Sequence, residues 1–358
     1  MKVVAVALLI ASVTALPAQS QQSEDTKSAL RAQADRAGVI YKRGRAVHYT
    51  KEFDLSGLPH YEPQQILTGW VRLHGNNYLS DGMLGELWQQ GFAKYQPGIR
   101  LSYYLPTSAL AFAALYYDQA DVVMGHRPGF YDLLAYERVK SFDPSEFTVV
   151  TGSFDVGGWE NSLTILVNQD NPIRCINMEQ LDGIFGSQRT GGWAGTNWRQ
   201  DWARGADKDI RTWGQLGLTG EWADKPIHAG GQNLSSGAML QFSNEVLGGS
   251  LQFVEGFKTY TNYITADGKM NSWSVQVQRE VAKDRYAMFY ASPLTLSPDM
   301  KELAIQAREG GPFVKRTLET VRDNSYPLMH HAFFYLNRKR CRYLYLATGW
   351  LKRISGSC

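Results

Sequence analysis

Alternating apolar and polar residues first organise the chain at Leu67-Thr-Gly-Trp-Val-Arg-Leu, a pattern that predicts a strand running out into His74-Gly-Asn-Asn-Tyr-Leu-Ser. Met83, Leu84, Leu87, Trp88 and Phe92 then recur at helical spacing and predict a helix from Met83 to about Tyr95, stopped before Pro97-Gly98. Ile99-Arg-Leu-Ser-Tyr-Tyr reads as the next strand, Ser108 to Tyr117 as the next helix, and Ala120-Asp-Val-Val-Met as a short buried strand. This rhythm predicts a parallel sheet wound with helices.

A second pattern starts after Leu163-Thr-Ile-Leu-Val-Asn and Asn171-Pro172, with a helix over Met178–Ile184. Between Gly186 and Trp213 no period is visible, and Gly, Trp, Arg and Asp dominate; this predicts a long decorated loop. Order resumes with a strand from Ile227, a helix opening at Ser236, and a helix over Val275–Val281. Ala287-Met-Phe-Tyr-Ala is an apolar strand expected to return the chain to the first lobe. The expected division is 1–20 leader, 21–65 N-terminal arm, 66–160 first lobe, 161–286 second lobe, and 287–358 first-lobe return with a basic tail. Crossings near Asn161 and Ala287–Tyr290 would form the hinge.

The ends and totals narrow the class. Met1-Lys2, an apolar run from Val3 to Val13 and the Val13-x-Ala15 pattern have the form of a cleaved secretory signal, too short to span a bilayer. The remaining chain of about 340 residues exceeds what one core usually supports, which favours two lobes. A net charge of +3 is spread thinly, and no basic stripe with interleaved aromatics points to nucleic acid. Cys175, Cys341 and Cys358 are too few for a disulfide scaffold. The chain is expected to be exported, monomeric and not inserted in a membrane.

The sequence lacks a His-Glu-x-x-His zinc motif, a Cys-x-x-Cys pair, a Gly-x-Ser-x-Gly elbow and a phosphate loop ending in Gly-Lys-Ser/Thr. No catalytic residue, metal ligand or cofactor is therefore expected. His330-His331 lies in a strand-like apolar stretch, with one imidazole expected toward the core and the other outward. What remains is a set of loops at strand ends: Gly75, Asn76, Asn77 and Tyr78; Ser108 opening a helix; His126 and Arg127; and Ser235, Ser236 and Gly237 opening another helix. In open α/β sheets ligands collect at the carboxyl edges of strands, and a helix start offers N–H groups to an anion. Singly, each has a plainer explanation: Ser108 as an N-cap, Gly75 as a turn, Arg127 as a loop brace on a carboxylate.

The ordered set TWGQLGLTGEW at 212–222, GGPFV at 310–314, Phe92-x-x-x-x-Pro97, Ala120-Asp121, VNQDNPI at 167–173, Leu181-x-x-Ile-Phe185 and Ser236-Gly237 resembles the phosphate-type periplasmic substrate-binding proteins of ABC importers. It covers about three quarters of the chain, from about Leu67 to Asn337. The resemblance implies an α/β, two-lobe fold of the type II periplasmic-binding-protein class. It also implies a hinge, a small-molecule ligand such as phosphate or another oxyanion held between the lobes, and an ABC-transporter permease as partner.

This chain departs from that family's pattern at the pocket. Gln232 stands where phosphate binders carry an arginine, Ala238 where they carry a threonine, and His126 where they carry an aspartate. Exchanging the arginine for a neutral amide weakens oxyanion binding by about 1.5–3 kcal/mol unless Arg127 compensates. A pocket using His126 would bind an oxyanion more tightly as pH falls through about 6.5. The other expected reading is a binding fold whose pocket has drifted toward a sensing or interaction role.

Overall fold

The computed structural model describes residues 56–57, 59–75, 84–105, 108–151, 154, 162–233, 237–293 and 296–337. The expected leader, most of the N-terminal arm, the basic tail, Cys341 and Cys358 lie outside the described residues.

The chain opens with β1 (Thr68–Gly75), α1 (Leu84–Ala93), β2 (Gly98–Tyr104), α2 (Ser108–Tyr116), β3 (Val122–Gly125), α3 (Phe130–Lys140) and β4 (Ser145–Thr151). Next come β5 (Thr164–Asn168), β6 (Cys175–Asn177), α4 (Met178–Phe185) and a small hairpin of β7 (Gly192–Ala194) and β8 (Asn197–Arg199). Four short 3-10 turns lead to β9 (His228–Gln232), α5 (Gly237–Val246), β10 (Lys258–Tyr260), β11 (Tyr263–Ile264), β12 (Met270–Asn271) and α6 (Trp273–Lys283). The chain ends through β13 (Ala287–Ala291), β14 (Met300–Glu302), β15 (Ala304–Gln306), β16 (Phe313–Val314), α7 (Leu318–Arg322) and β17 (His331–Leu336).

Two five-stranded sheets organise these elements into two α/β lobes, ordered β2-β1-β3-β17-β4 and β10-β9-β13-β5-β14. β1, β2 and β3 are parallel, with Gly75 opposite Met124 and His74 opposite Tyr104, so their carboxyl ends share one edge. In the second sheet β9 runs parallel to β10 and β13, while β5 is antiparallel to β13. The uninterrupted apolar runs of β3, β5 and β13 are buried at every position, as strands covered on both faces must be.

Two expectations change here. Residues 287–291 do not return the chain to the first lobe; they form a central strand of the second sheet, because every side chain there finds a buried partner. The return is made by β17, which inserts antiparallel between β3 and β4. The 186–213 segment is not irregular throughout: Asp182 accepts both terminal nitrogens of Arg189 at 2.6 and 2.5 Å, and Arg204 bonds Asp209 at 2.6 Å and the Gly186 carbonyl at 2.6 Å. That lattice folds the segment onto α4.

Candidate functional site

The carboxyl edges of the two sheets face each other at one junction. His126 follows β3 directly, and its imidazole lies over Gly237, the first residue of α5; a Cβ on Gly237 would collide with that ring. Only glycine permits this approach of a side chain to the opening backbone of the helix. β9 leads into the same point, with Gln232 buried at its end and its carbonyl accepting the Tyr290 hydroxyl at 2.7 Å. On the first lobe, Gly75 ends β1 with φ +146°, its α-carbon pressed on the Met124 backbone, so a close approach fixes glycine there. Ser108 opens α2 immediately after β2 and so belongs to the same strand edge.

Of the residues singled out in the sequence, Gly75, Ser108, His126, Gln232 and Gly237 are carried to these facing edges, and His126 and Gly237 touch. Asn76, Asn77, Tyr78, Ser235 and Ser236 lie outside the described residues. Arg127 is placed differently. Its Nη2 donates to Glu146 Oε1 at 3.1 Å, and its guanidinium lies 4.9 Å from the centre of the Phe333 ring, the brace that was its plainer explanation.

The electrostatics of His126 alter the expected pH response. Both its ring nitrogens are buried, although the residue as a whole keeps intermediate exposure, and the ring packs edge-to-face on His330 at 4.5 Å. Burial first, and the neighbouring His330 second, hold its pKa well below the ordinary histidine value. His126 is therefore neutral at physiological pH, and tightening of anion binding through about pH 6.5 is not expected. A neutral imidazole has one N–H donor, one acceptor and no charge.

Sequence reasoning missed the parts of the lobe interface that carry no motif. Phe130, at the start of α3, stacks on Trp193 of β7 with ring centres 4.5 Å apart, and the Thr196 hydroxyl donates to Glu137 of α3 at 2.7 Å. Trp193 thus joins the two lobes, while Trp213 and Trp222 sit in the second-lobe core, edge-to-face at 6.0 Å. The tryptophan content of residues 193–222 was legible; that Trp193 goes to the interface while Trp213 and Trp222 go to the core was not. His330 is the inward histidine, 3% exposed, and His331 is partly exposed, as their apolar setting implied. Among the described residues no helix is long and apolar enough to cross a membrane.

The chain is similar to the phosphate-binding protein PstS of Pseudomonas aeruginosa PAO1, 25% identical over 283 residues, 78% of this chain and 76% of that protein. It matches PstS of Pseudomonas aeruginosa UCBPP-PA14 to the same extent. No protein-family model matches the chain. Among solved structures it is similar to PstS from Borrelia burgdorferi, at a TM-score of 0.47 and 13% identity over 78% of this chain and 90% of that one. A possible phosphate binding protein from Planctomyces limnophilus gives a TM-score of 0.46 and 18% identity over 81% and 88%. The resemblance to phosphate-type binding proteins read from the motifs is matched, in the two Pseudomonas aeruginosa proteins, over 283 residues of the chain.

Proposed function

We propose that the chain is an exported solute-binding protein that captures a small oxyanion, phosphate foremost, between its lobes and delivers it to an ABC-type permease. The observation that carries this reading is the meeting of His126 with Gly237 at the opening of α5. Two sheet edges and a helix start converge there, and a helix start is where backbone N–H groups are offered to an anion. The similarity to the two Pseudomonas aeruginosa phosphate-binding proteins supports the ligand class. With Gln232 and a neutral His126 at the junction, recognition rests on hydrogen bonds from N–H groups and hydroxyls, so discrimination between phosphate and sulfate is expected to be shallow. No step of catalysis is needed for this function.

Calorimetric titration of the full chain with phosphate and sulfate tests the reading directly. Phosphate is expected to bind, with sulfate within about tenfold of it. Gly237→Val, whose Cβ would push His126 away, is expected to remove phosphate binding in a protein that still unfolds cooperatively. Unchanged affinity in that variant would take the site away from this junction.

A further inference from the structure

A cavity of about 270 Å³ lies beside His126, between the two lobes, and most of its lining residues take no part in the proposed oxyanion site. The first lobe contributes Arg127, Thr148 and Phe333; α5 of the second lobe contributes Gln241, Asn244 and Glu245; and the crossing into β17 supplies its floor. Gln241, Asn244 and Glu245 line up because positions three and four apart share one helix face. Gln241 is a fixed part of the wall, its Oε1 2.6 Å from His330 Nδ1 and its Nε2 donating to the Met329 carbonyl at 3.0 Å. The volume falls just below the roughly 300–1,000 Å³ of sites for drug-sized ligands, which suits a metabolite of a few heavy atoms.

The charges of the lining select among small metabolites. Arg127 is a permanent cation with five donors, of which Glu146 takes one short contact. Glu245 supplies a carboxylate from the opposite lobe, on the rim, within electrostatic reach of both Arg127 and His330. A simple anion entering this space meets Glu245, and a simple cation meets Arg127. A molecule carrying both charges satisfies both walls and leaves the Asn244 amide and Thr148 hydroxyl for its remaining polar atoms.

We propose that this cavity binds a small zwitterion of the α-amino-acid class, its carboxylate toward Arg127 and its ammonium toward Glu245, so that one molecule bridges the two lobes. His126 lines this cavity and also touches Gly237 at the junction. An occupant here favours the arrangement of lobes that also brings His126 against Gly237, and it acts through contacts that exist only in that arrangement.

The test is calorimetric titration of the full chain with L-alanine and L-glutamine, beside propionate and ethylamine, which each carry one of the two charges. At least one amino acid is expected to bind with a Kd of about 1 mM or tighter, and the single-charge compounds at least about tenfold more weakly. Glu245→Gln, on the rim, is expected to weaken the amino acid at least about tenfold while a phosphate titration of the same variant stays at the parent value. Glu245→Asp, which keeps the charge, should retain most of the affinity. The proposal is overturned if neither amino acid gives heat or a thermal shift, if propionate or ethylamine binds equally well, or if Glu245→Gln binds amino acids as the parent does. Amino-acid binding without phosphate binding would overturn the oxyanion reading alone.

Discussion

The two lobes share an architecture but not a manner of packing. The second has a large cluster on one face of its sheet, in which Phe242 stacks on Tyr290 at 4.3 Å and meets Phe185 edge-to-face at 4.9 Å, and a smaller one around Val277 and Phe289 on the other. The first divides its core into two smaller clusters, one on each face of its sheet, and leaves Trp70 and Tyr131 on the outside, 65% and 75% exposed. Two ionic contacts beside the junction elements differ in the same direction. Second-lobe Asp182, Arg189 and Arg204 form a shielded lattice, whereas first-lobe Arg127 and Glu146 pair in the open. The larger cluster takes in Phe242 and Val246 of α5, so that helix sits on the main core of the second lobe, and the first lobe presents His126 to its start from the end of β3, itself buried at every position.

Truncation of each core should separate the lobes most sharply. Phe242→Ala is expected to cost about 5 kcal/mol, the top of the range for buried aromatics, and Phe112→Ala in the first lobe about 3 kcal/mol, its bottom. Urea unfolding measures both, and equal losses would break the contrast. Next in size is the ionic lattice. Asp182→Ala leaves two shielded guanidiniums facing each other and is expected to cost about 3 kcal/mol, against about 0.5 kcal/mol for Glu146→Gln at the exposed pair. A loss in Asp182→Ala no larger than that in Glu146→Gln would mean that the lattice only decorates the 186–213 segment.

The smallest expected effect concerns pH and places the sensitivity in the first lobe. His126 takes up a proton less readily in the folded chain than in the unfolded one, chiefly because burial disfavours imidazolium; His331 and His74 are lowered in the same direction, again chiefly by burial. Below about pH 6.5 the unfolded chain therefore binds more protons, and stability, complete above that value, falls as pH falls toward the depressed folded values. The thermal midpoint should be level above about pH 7 and decline below it, with a shallower decline in His126→Gln. Identical slopes in parent and variant would remove His126 as the source.

The residues that made the fold legible are mostly not those of the site. In TWGQLGLTGEW, Thr212 and Gln215 form a capping box, Gly217 takes φ +87°, and both tryptophans are buried: the segment is a packed turn. In VNQDNPI, Asn168 donates to the Val281 and Ala282 carbonyls while Asn171 accepts from Ile173 N–H. Asp121 of Ala120-Asp121 accepts from the Arg72 backbone and guanidinium, tying β1 to the approach of β3. Such motifs are constrained by local geometry and can be read in sequence. The junction was legible only as a list of strand ends, because nothing local specifies that His126 reaches Gly237 across about 110 residues of intervening chain. The same holds for the strand at 287–291: its apolar run announced burial, but not in which sheet.

The stack of Phe130 on Trp193, with the Thr196–Glu137 bond beside it, gives the junction a time dimension. On the proposed function, a ligand entering between the sheet edges would wait for these contacts to part. An aromatic pair contributes about 0.5–1.5 kcal/mol beyond area burial and a hydrogen bond to a carboxylate about 1.5–3 kcal/mol. Each 1.4 kcal/mol thins the open population about tenfold, so the latch slows capture and slows escape together. On that reading the protein would trade speed of uptake for length of residence, and Trp193, whose indole lies in the latch itself, is the place to look for a fluorescence change on opening.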